Sequence, residues 1–247
     1  MPEIESTRQQ PVRMVYVTSH HHYPTTVALR ADRRINLLKL AEKYGFIIFE
    51  DDYDCDFHYL SKPLMPLAGA DPTGMVMYCG SFTKTISPAF RVGFLVGPAD
   101  VIAYLGKLRR IIDRQGDHML ENAMAELLHN GVIQRHLRKS VRVYKQRRDI
   151  FCDLMKTHLG NHVQFQVPDG GMAVWTQFNA DIDLTRVAAK ALEKNLYMAS
   201  PVIPKPGTGD ERTFSNAIRL GFASSNQQEL EESVEIIKKI LEDLYHR

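Results

Sequence analysis

The sequence predicts an α/β protein: a mostly parallel sheet with its helices, followed by a smaller α+β domain. Two observations predict it. Over roughly the first hundred residues, short and nearly continuous apolar runs alternate with amphipathic helical segments, as strands buried in a parallel sheet do. From about residue 115 the order changes to two consecutive helices, a strand pair and further mixed elements. The expected division is 1–114 for part of a large domain and 115–247 for the smaller one.

MVYV (14–17) is a short strand candidate. A helix follows at RRINLLKLAEKYG, with Ile35, Leu38 and Ala41 on one face and Gly45 at its C-terminal end. FIIFE (46–50), MVMYCG (75–80) and FLVG (94–97) are further apolar strands, and PADVIAYLGKLRRIIDR reads as a helix opened by Pro98. HMLENAMAELLHNG and the long VIQRHLRKSVRVYKQRRDIFCDLMKTHLG are helices; Ile133, Leu137, Val141, Tyr144, Phe151 and Leu154 keep helical spacing in the second. VQFQVPDGGMAVWTQF is a strand pair in which Gly170 and Gly171 make the connection. Then come a helix near DLTRVAAKALEKN and strands at LYMAS and AIRLGFA. A final helix, NQQELEESVEIIKKILEDLYHR, buries Leu230, Ile237, Leu241 and Leu244. PVIPKPGTGDERTF reads as a loop on composition.

The chain has 247 residues, 44% hydrophobic and 24% charged, enough for a real core in one large or two small domains. A formal net charge of +2 gives no argument for nucleic acid, membrane or acidic partners. Cys55, Cys79 and Cys152 are odd in number, far apart and outside any CxxC pattern, so they read as reduced thiols. No apolar run reaches the roughly 18 residues of a membrane span, and MPEIESTRQQ has no apolar signal-peptide core. A cytoplasmic protein is expected.

Chemistry gathers at two strand ends. FIIFEDDYDCDFHY puts Glu50, Asp51, Asp52, Tyr53, Asp54 and Asp56 directly after an apolar strand, where parallel α/β folds collect ligands. A solvated acidic loop or a magnesium site is the plain reading. The sharper one pairs Asp51 with a protonated heterocyclic nitrogen and Tyr53 with a phenolate oxygen. Thirty-three residues after Asp51, GSFTKTISPAFRVGF places Lys84 at the end of the next apolar strand. An amine held there can form a Schiff base with a carbonyl. Ser81, Thr83 and Arg91 are the donors a phosphate monoester wants. Carboxylate, phenol, amine and phosphate donors together describe a pocket for pyridoxal phosphate.

Other clusters read more plainly. His20, His21 and His22 cannot all face one ion, so no metal is expected there; His20 could touch a cofactor or substrate. The arginines and lysines between 135 and 148 read as a solvated helix face. Asp52, Asp54 and Asp56 are expected to be held by solvent or arginines, and Trp175 to lie in the core of the smaller domain. Arg219, between Ile218 and Leu220 on an apolar strand, needs an anion; Arg212 competes with it from a loop.

Several stretches resemble the fold-type I pyridoxal-phosphate enzymes, the aspartate aminotransferase fold. Among these the chain is most similar to the aminotransferase-like domain of MocR-type transcription regulators of the GntR superfamily. VYVTSHHHYPTT stands for the family's TPSHQFPTG, and IIFEDDYDCDFHY for IIEDDYDSEFRY. YCGSFTKTISPAFRVGFLV stands for Y-x-G-T-F-S-K-T-L-x-P-x-x-R-x-G-Y, VPDGGMAVW for P-x-G-G-x-x-x-W, and AIRLGFA for L-R-L-G-F-A. The resemblance implies that Lys84 forms the internal aldimine, Asp51 holds the pyridine nitrogen protonated and Tyr53 bonds the ring oxygen. It further implies that Ser81, Thr83 and Arg91 bind the phosphate and Arg219 clamps a substrate α-carboxylate. YPTT (23–26) departs from the aminotransferases' NPTG, losing the asparagine, as MocR-type domains do.

Such regulators carry a winged helix-turn-helix, a linker and the opening part of the large domain before the stretch matched here, so the chain corresponds to about their C-terminal half. What the resemblance implies is sensing of an amine or amino acid by aldimine formation, in a homodimer that meets DNA only through the missing N-terminal module. One alternative is a true aminotransferase that moves an amino group between an amino acid and a 2-oxo acid. Another is a structural or dimerisation remnant without cofactor.

Overall fold

A computed structural model of the chain describes residues 11–59, 64–199, 202–204, 211–213 and 216–245. The chain divides into two compact units, Met1–Tyr23 with Val27–Lys139, and Pro24–Thr26 with Ser140–Arg247.

The first unit is built on β1 (Met14–Val17), β2 (Ile47–Asp52), β3 (Val76–Ser81) and β4 (Gly93–Val96), hydrogen-bonded in that order. The first three strands run parallel, and β4 runs antiparallel to β3. Helix α1 (Ala31–Tyr44) makes the crossover from β1 to β2. It ends where Gly45 takes a left-handed φ of 69° and its N–H bonds the Ala41 carbonyl at 2.8 Å, the usual glycine stop. A short helix, α2 (Leu67–Ala70), lies between β2 and β3. Ala41, Phe46, Ile48, Leu67 and Val76 form one buried cluster, with Val15, Val17, Leu37 and Leu38 packed on it. That cluster covers one side of the sheet. The other carries Tyr16, 61% exposed, so burial on both sides is not observed among the described residues.

The inward face of α1 also differs from expectation. Ile35 is 54% exposed, whereas Arg34 is buried. The guanidinium explains the exchange: each of its three nitrogens donates to a carbonyl, Leu29 (2.8 Å), Met65 (2.7 Å) and Ser19 (2.9 Å), which compensates the buried charge.

Helices α3 (Ala99–Ile112), α4 (His118–His129) and α5 (Val132–Leu159) follow where the apolar spacing put them. Asp117 caps α4, accepting the Leu120 N–H at 3.0 Å. Along α5, Arg135, Arg138, Lys139, Arg142 and Lys145 are exposed, and Arg148 is buried against the Pro168 carbonyl at 2.9 Å.

The second unit holds an antiparallel sheet, β5 (Val163–Phe165), β6 (Ala173–Phe178) and β9 (Ala217–Gly221), in the order β5-β6-β9. Helix α6 (Leu184–Glu193) is capped by Asp183 and packs against α7 (Gln227–Tyr245). Leu230, Ile237 and Leu241 of α7 are buried as expected, while Leu244 is half-buried. Gly171, at φ 75°, sits in the β5–β6 connection, a conformation that favours glycine. Two expectations fail here. Residues 196–199 are not a strand, and the stretch read as a loop holds a short pair, β7 (Val202–Pro204) with β8 (Glu211–Thr213). Composition rich in proline and glycine hides a hairpin whose strands are three residues long.

Candidate functional site

The candidate site is assembled by strand register in the first unit. In β2, burial alternates strictly: Ile48, Glu50 and Asp52 are buried, Phe49 and Asp51 half-buried, and the alternation runs on through Tyr53 and Asp54. Asp51 is the register partner of Cys79, and on the neighbouring strand Ser81 is two residues further along the same face. Tyr16 belongs to that face too, since its partner is Phe49, and its hydroxyl donates to Asp51 Oδ2. Burial, then the hydrogen bond it donates to Asp51 and the Asp51 charge, raise the Tyr16 hydroxyl well above the ordinary phenol range. Tyr16 is a member of the site that sequence reasoning missed, because only the pairing of β1 with β2 reveals which acid it meets.

The chain beyond β3 forms a closed turn. Ser81 pairs with Gly93, and the Phe82 N–H bonds the Val92 carbonyl at 3.0 Å, so both ends of the 82–91 segment are drawn together. Ser81 Oγ accepts the Thr83 N–H at 3.2 Å. Arg91 stands at φ 47°, a left-handed conformation uncommon outside glycine, where the segment bends back to β4. Lys84 and Arg91 are both exposed; Ser81 and Thr83 are half-buried. Three phosphate-type donors and one amine thus come from a single turn next to the carboxylate face. Two glycines keep its base tight. A Cβ on Gly93 would meet the Gly80 carbonyl oxygen at 2.8 Å, and one on Gly80 would run into the Phe94 ring.

The remaining acids are engaged behind this face: Asp56 is exposed to solvent as expected, whereas Asp52 and Asp54 are buried against histidines. Glu50, fully buried, accepts the N–H groups of Leu67 (2.9 Å) and Ala68 (3.1 Å) and the Ser19 hydroxyl. His20 Nδ1 lies 2.8 Å from Asp52 Oδ2, and His21 Nδ1 lies 2.8 Å from Asp54 Oδ1. Thr85 donates to Asp56 Oδ2 at 3.0 Å. Burial alone would depress the His20 pKa, but the hydrogen bond and charge of Asp52, with the Leu64 carbonyl, outweigh it and raise the value. Both ring nitrogens of His20 are occupied, by Asp52 and by the Leu64 carbonyl at 2.7 Å, which takes it away from a direct ligand role. Among the described residues, no group of histidines, cysteines and acids is arranged to hold a metal ion.

Tyr53 is half-buried, and its hydroxyl donates to the His21 carbonyl at 3.2 Å. Arg219 lies in the second unit, on β9, flanked by buried Ile218 and Leu220 and paired across the sheet with Trp175. Trp175 is half-buried rather than part of a closed core. The side chain of Arg212 lies outside the described residues.

The donor set suits pyridoxal phosphate: an acid for a ring nitrogen, a phenol for a ring oxygen, hydroxyls and a guanidinium for a phosphate, and an accessible amine for an aldehyde. Among the described residues, no helix is long and apolar enough to cross a membrane.

The family model for aminotransferase class I and II matches residues 2–237. The chain is 29% identical over 232 residues to the uncharacterized HTH-type transcriptional regulator YisV of Bacillus subtilis, covering 94% of this chain and 47% of that protein. It is 30% identical over 182 residues to the probable rhizopine catabolism regulatory protein MocR of Rhizobium meliloti, covering 72% and 36%. The chain therefore spans about half, or less, of the length of these regulators. Among solved structures, the kynurenine aminotransferase of Pyrococcus horikoshii, crystallised in complex with PMP, superposes with a TM-score of 0.86 at 25% identity, over 100% of this chain and 60% of that one. The fold is that of the fold-type I aminotransferases, covering part of the large domain, and the chain belongs to the aminotransferase class I and II family, whose cofactor is pyridoxal phosphate.

Proposed function

We propose that the chain is the pyridoxal-phosphate-binding, aminotransferase-like part of a MocR-type transcription regulator of the GntR superfamily, and that it senses an amine or amino acid. The observation that carries this reading is the one-sided collection of Asp51, Ser81 and the 81–91 turn at the carboxyl ends of β2 and β3. Its likeness over most of its length to helix-turn-helix regulators, each about twice as long or longer, supports the regulatory half of the reading. DNA contact then belongs to a module outside this stretch, and the working form is a homodimer in the cytoplasm.

In that site, the Asp51 carboxylate would accept the ring N–H, and the Tyr53 hydroxyl would turn from the His21 carbonyl to donate to the ring oxygen. Ser81, Thr83 and Arg91 hold the phosphate by charge-assisted hydrogen bonds. Lys84 would supply the amine that condenses with the cofactor aldehyde, with loss of water, and, once freed by an incoming amine, the base and acid that move a proton at the substrate Cα. When bound, the cofactor supplies a protonated ring that withdraws electrons from that carbon. Arg219 grips the ligand carboxylate with two parallel hydrogen bonds.

A second reading, an aminotransferase acting on amino acids, is supported by the structural likeness to the Pyrococcus enzyme. Incubation of the cofactor-loaded chain with amino acids and 2-oxoglutarate separates the two. A spectral change on adding amine, without glutamate formation, is the expected result. Steady glutamate formation favours the enzyme, and a colourless, unresponsive mixture leaves only a structural remnant.

A further inference from the structure

A buried polar cluster lies behind the cofactor face and belongs to none of the roles above. His20 is 3% exposed and His21 7%, and each ring meets an acid through Nδ1: Asp52 and Asp54, at 2.8 Å in both pairs. Those acids alternate with Asp51 and Tyr53 along the chain. Asp52 and Asp54 are buried against the histidines, and Asp51 and Tyr53 are half-buried. Without cofactor, His21 holds the segment a second time, because its carbonyl accepts the Tyr53 hydroxyl at 3.2 Å.

Only the first half of this segment is sheet. β2 ends at Asp52, so Tyr53 and Asp54 lack the ladder that fixes Asp51. An acid and a phenol that must meet two atoms of one aromatic ring need to be held within a fraction of an ångström. We propose that His20 and His21 are positioning residues, locking residues 51–54 from behind so that Asp51 and Tyr53 face the cofactor together. This rests on the pyridoxal phosphate reading above.

The surroundings suit a lock. Asp52 also accepts the Tyr78 hydroxyl from β3 at 3.0 Å, and the Tyr78 oxygen lies 3.6 Å from Cys55 Sγ. Burial, then the charge of Asp52, push the Cys55 thiol up to about 12, which keeps it neutral. Burial, followed by the charges of His21 and His20, pushes His58 down to about 4, so it sits uncharged between two rings, at centroid distances of 5.3 Å from His20 and 5.4 Å from His21. Arg34 contributes a positive charge on the His20 side, and Asp56, held by Thr85, a carboxyl on the Asp52 side. Asp54 Oδ2 is buried without a hydrogen-bond partner, so Asp54 relies on the His21 contact through its other oxygen.

The test uses paired substitutions in the whole chain. Asparagine can replace the Nδ1 contact of a histidine, and glutamine the Nε2 contact. In the cofactor-free chain, His20→Gln and His21→Gln are expected to speed amide hydrogen exchange at residues 51–54 about tenfold or more, the range of a lost hydrogen bond to a charged group. His20→Asn and His21→Asn should stay within about threefold of the unsubstituted chain. Pyridoxal phosphate affinity, titrated by absorbance, should follow the same order. If the glutamine and asparagine variants behave alike, or exchange rises while cofactor affinity holds, the positioning role is overturned. If the glutamine variants lose protection but even the unsubstituted chain forms no adduct with Lys84, the lock stands and the cofactor reading falls.

Discussion

Asp51 and Cys79 are register partners on the parallel strands β2 and β3, which puts the Asp51 carboxylate and the Ser81 hydroxyl on one face, about two residues apart along the sheet. An acid at one strand end and phosphate donors at the next are what a pyridine ring with a phosphate arm requires, at opposite ends of one small molecule. The opposite face is closed by apolar packing around Ile48 and, toward the strand end, by the buried polar groups of Glu50 and Asp52, so the two-residue alternation of the strands separates it from the ligand face.

Glu50 separates these two worlds. It is fully buried and receives two backbone N–H groups of α2 and the Ser19 hydroxyl. Glu50→Ala leaves those donors without an acceptor and should lower unfolding free energy by about 1–3 kcal/mol. Urea denaturation measures it, and an unchanged midpoint contradicts the structural role.

Histidine 58 gives the fold an acid-sensitive element. Its folded-state pKa lies at about 4, below the ordinary 6.5, because burial and its histidine neighbours disfavour charge. The unfolded chain therefore takes up a proton at His58 sooner. The stabilisation is complete above about pH 6.5 and is lost as pH falls toward 4. The shift at 1.36 kcal/mol per pK unit, discounted for a half-exposed ring, corresponds to about 1–2 kcal/mol. His58→Gln should flatten that part of the stability profile. His20 works in the opposite sense: its raised pKa stabilises the fold at low pH, and the benefit fades as pH rises through that raised value.

Gly80 cannot accept a side chain without displacing the Phe94 ring, which itself packs near Tyr78 and Phe82. Gly80→Ala should cost about 1–3 kcal/mol as overpacking and loosen the turn that bears Lys84. Thermal unfolding and cofactor titration on the same sample read both effects. Stability and affinity that match the unsubstituted chain would show the contact to be soft.

Arg219 provides the prediction for ligand recognition. Arg219→Ala should weaken the response of the cofactor-loaded chain to amino acids by about 1.5–3 kcal/mol, the range for a hydrogen bond to a charged group. Response to an amine without a carboxylate should stay as it was. Equal loss for both ligands removes Arg219 from the recognition site.

Much of the architecture was legible because strands and helices announce themselves by period. The runs at 14–17, 46–50, 75–80 and 94–97 all became strands within two residues. Register was not legible. That is why Tyr16 went unnoticed beside Asp51, and why Asp52 and Asp54 were assigned to solvent or arginine when their partners are His20 and His21, more than thirty residues away. Ile35 misled for a related reason. An amphipathic pattern cannot foresee that a neighbouring arginine will find three carbonyls and take the buried place. The short β7–β8 pair lay beneath a composition that argues for a loop.

Covalent capture of the cofactor by the Lys84 amine is tested most directly by borohydride reduction of the chain mixed with pyridoxal phosphate, followed by peptide mass analysis. The expected result is one reduced pyridoxyl adduct, confined to the peptide containing Lys84 and absent from Lys84→Ala. Adducts scattered over surface lysines, or an unmodified Lys84 at saturating cofactor, would contradict it.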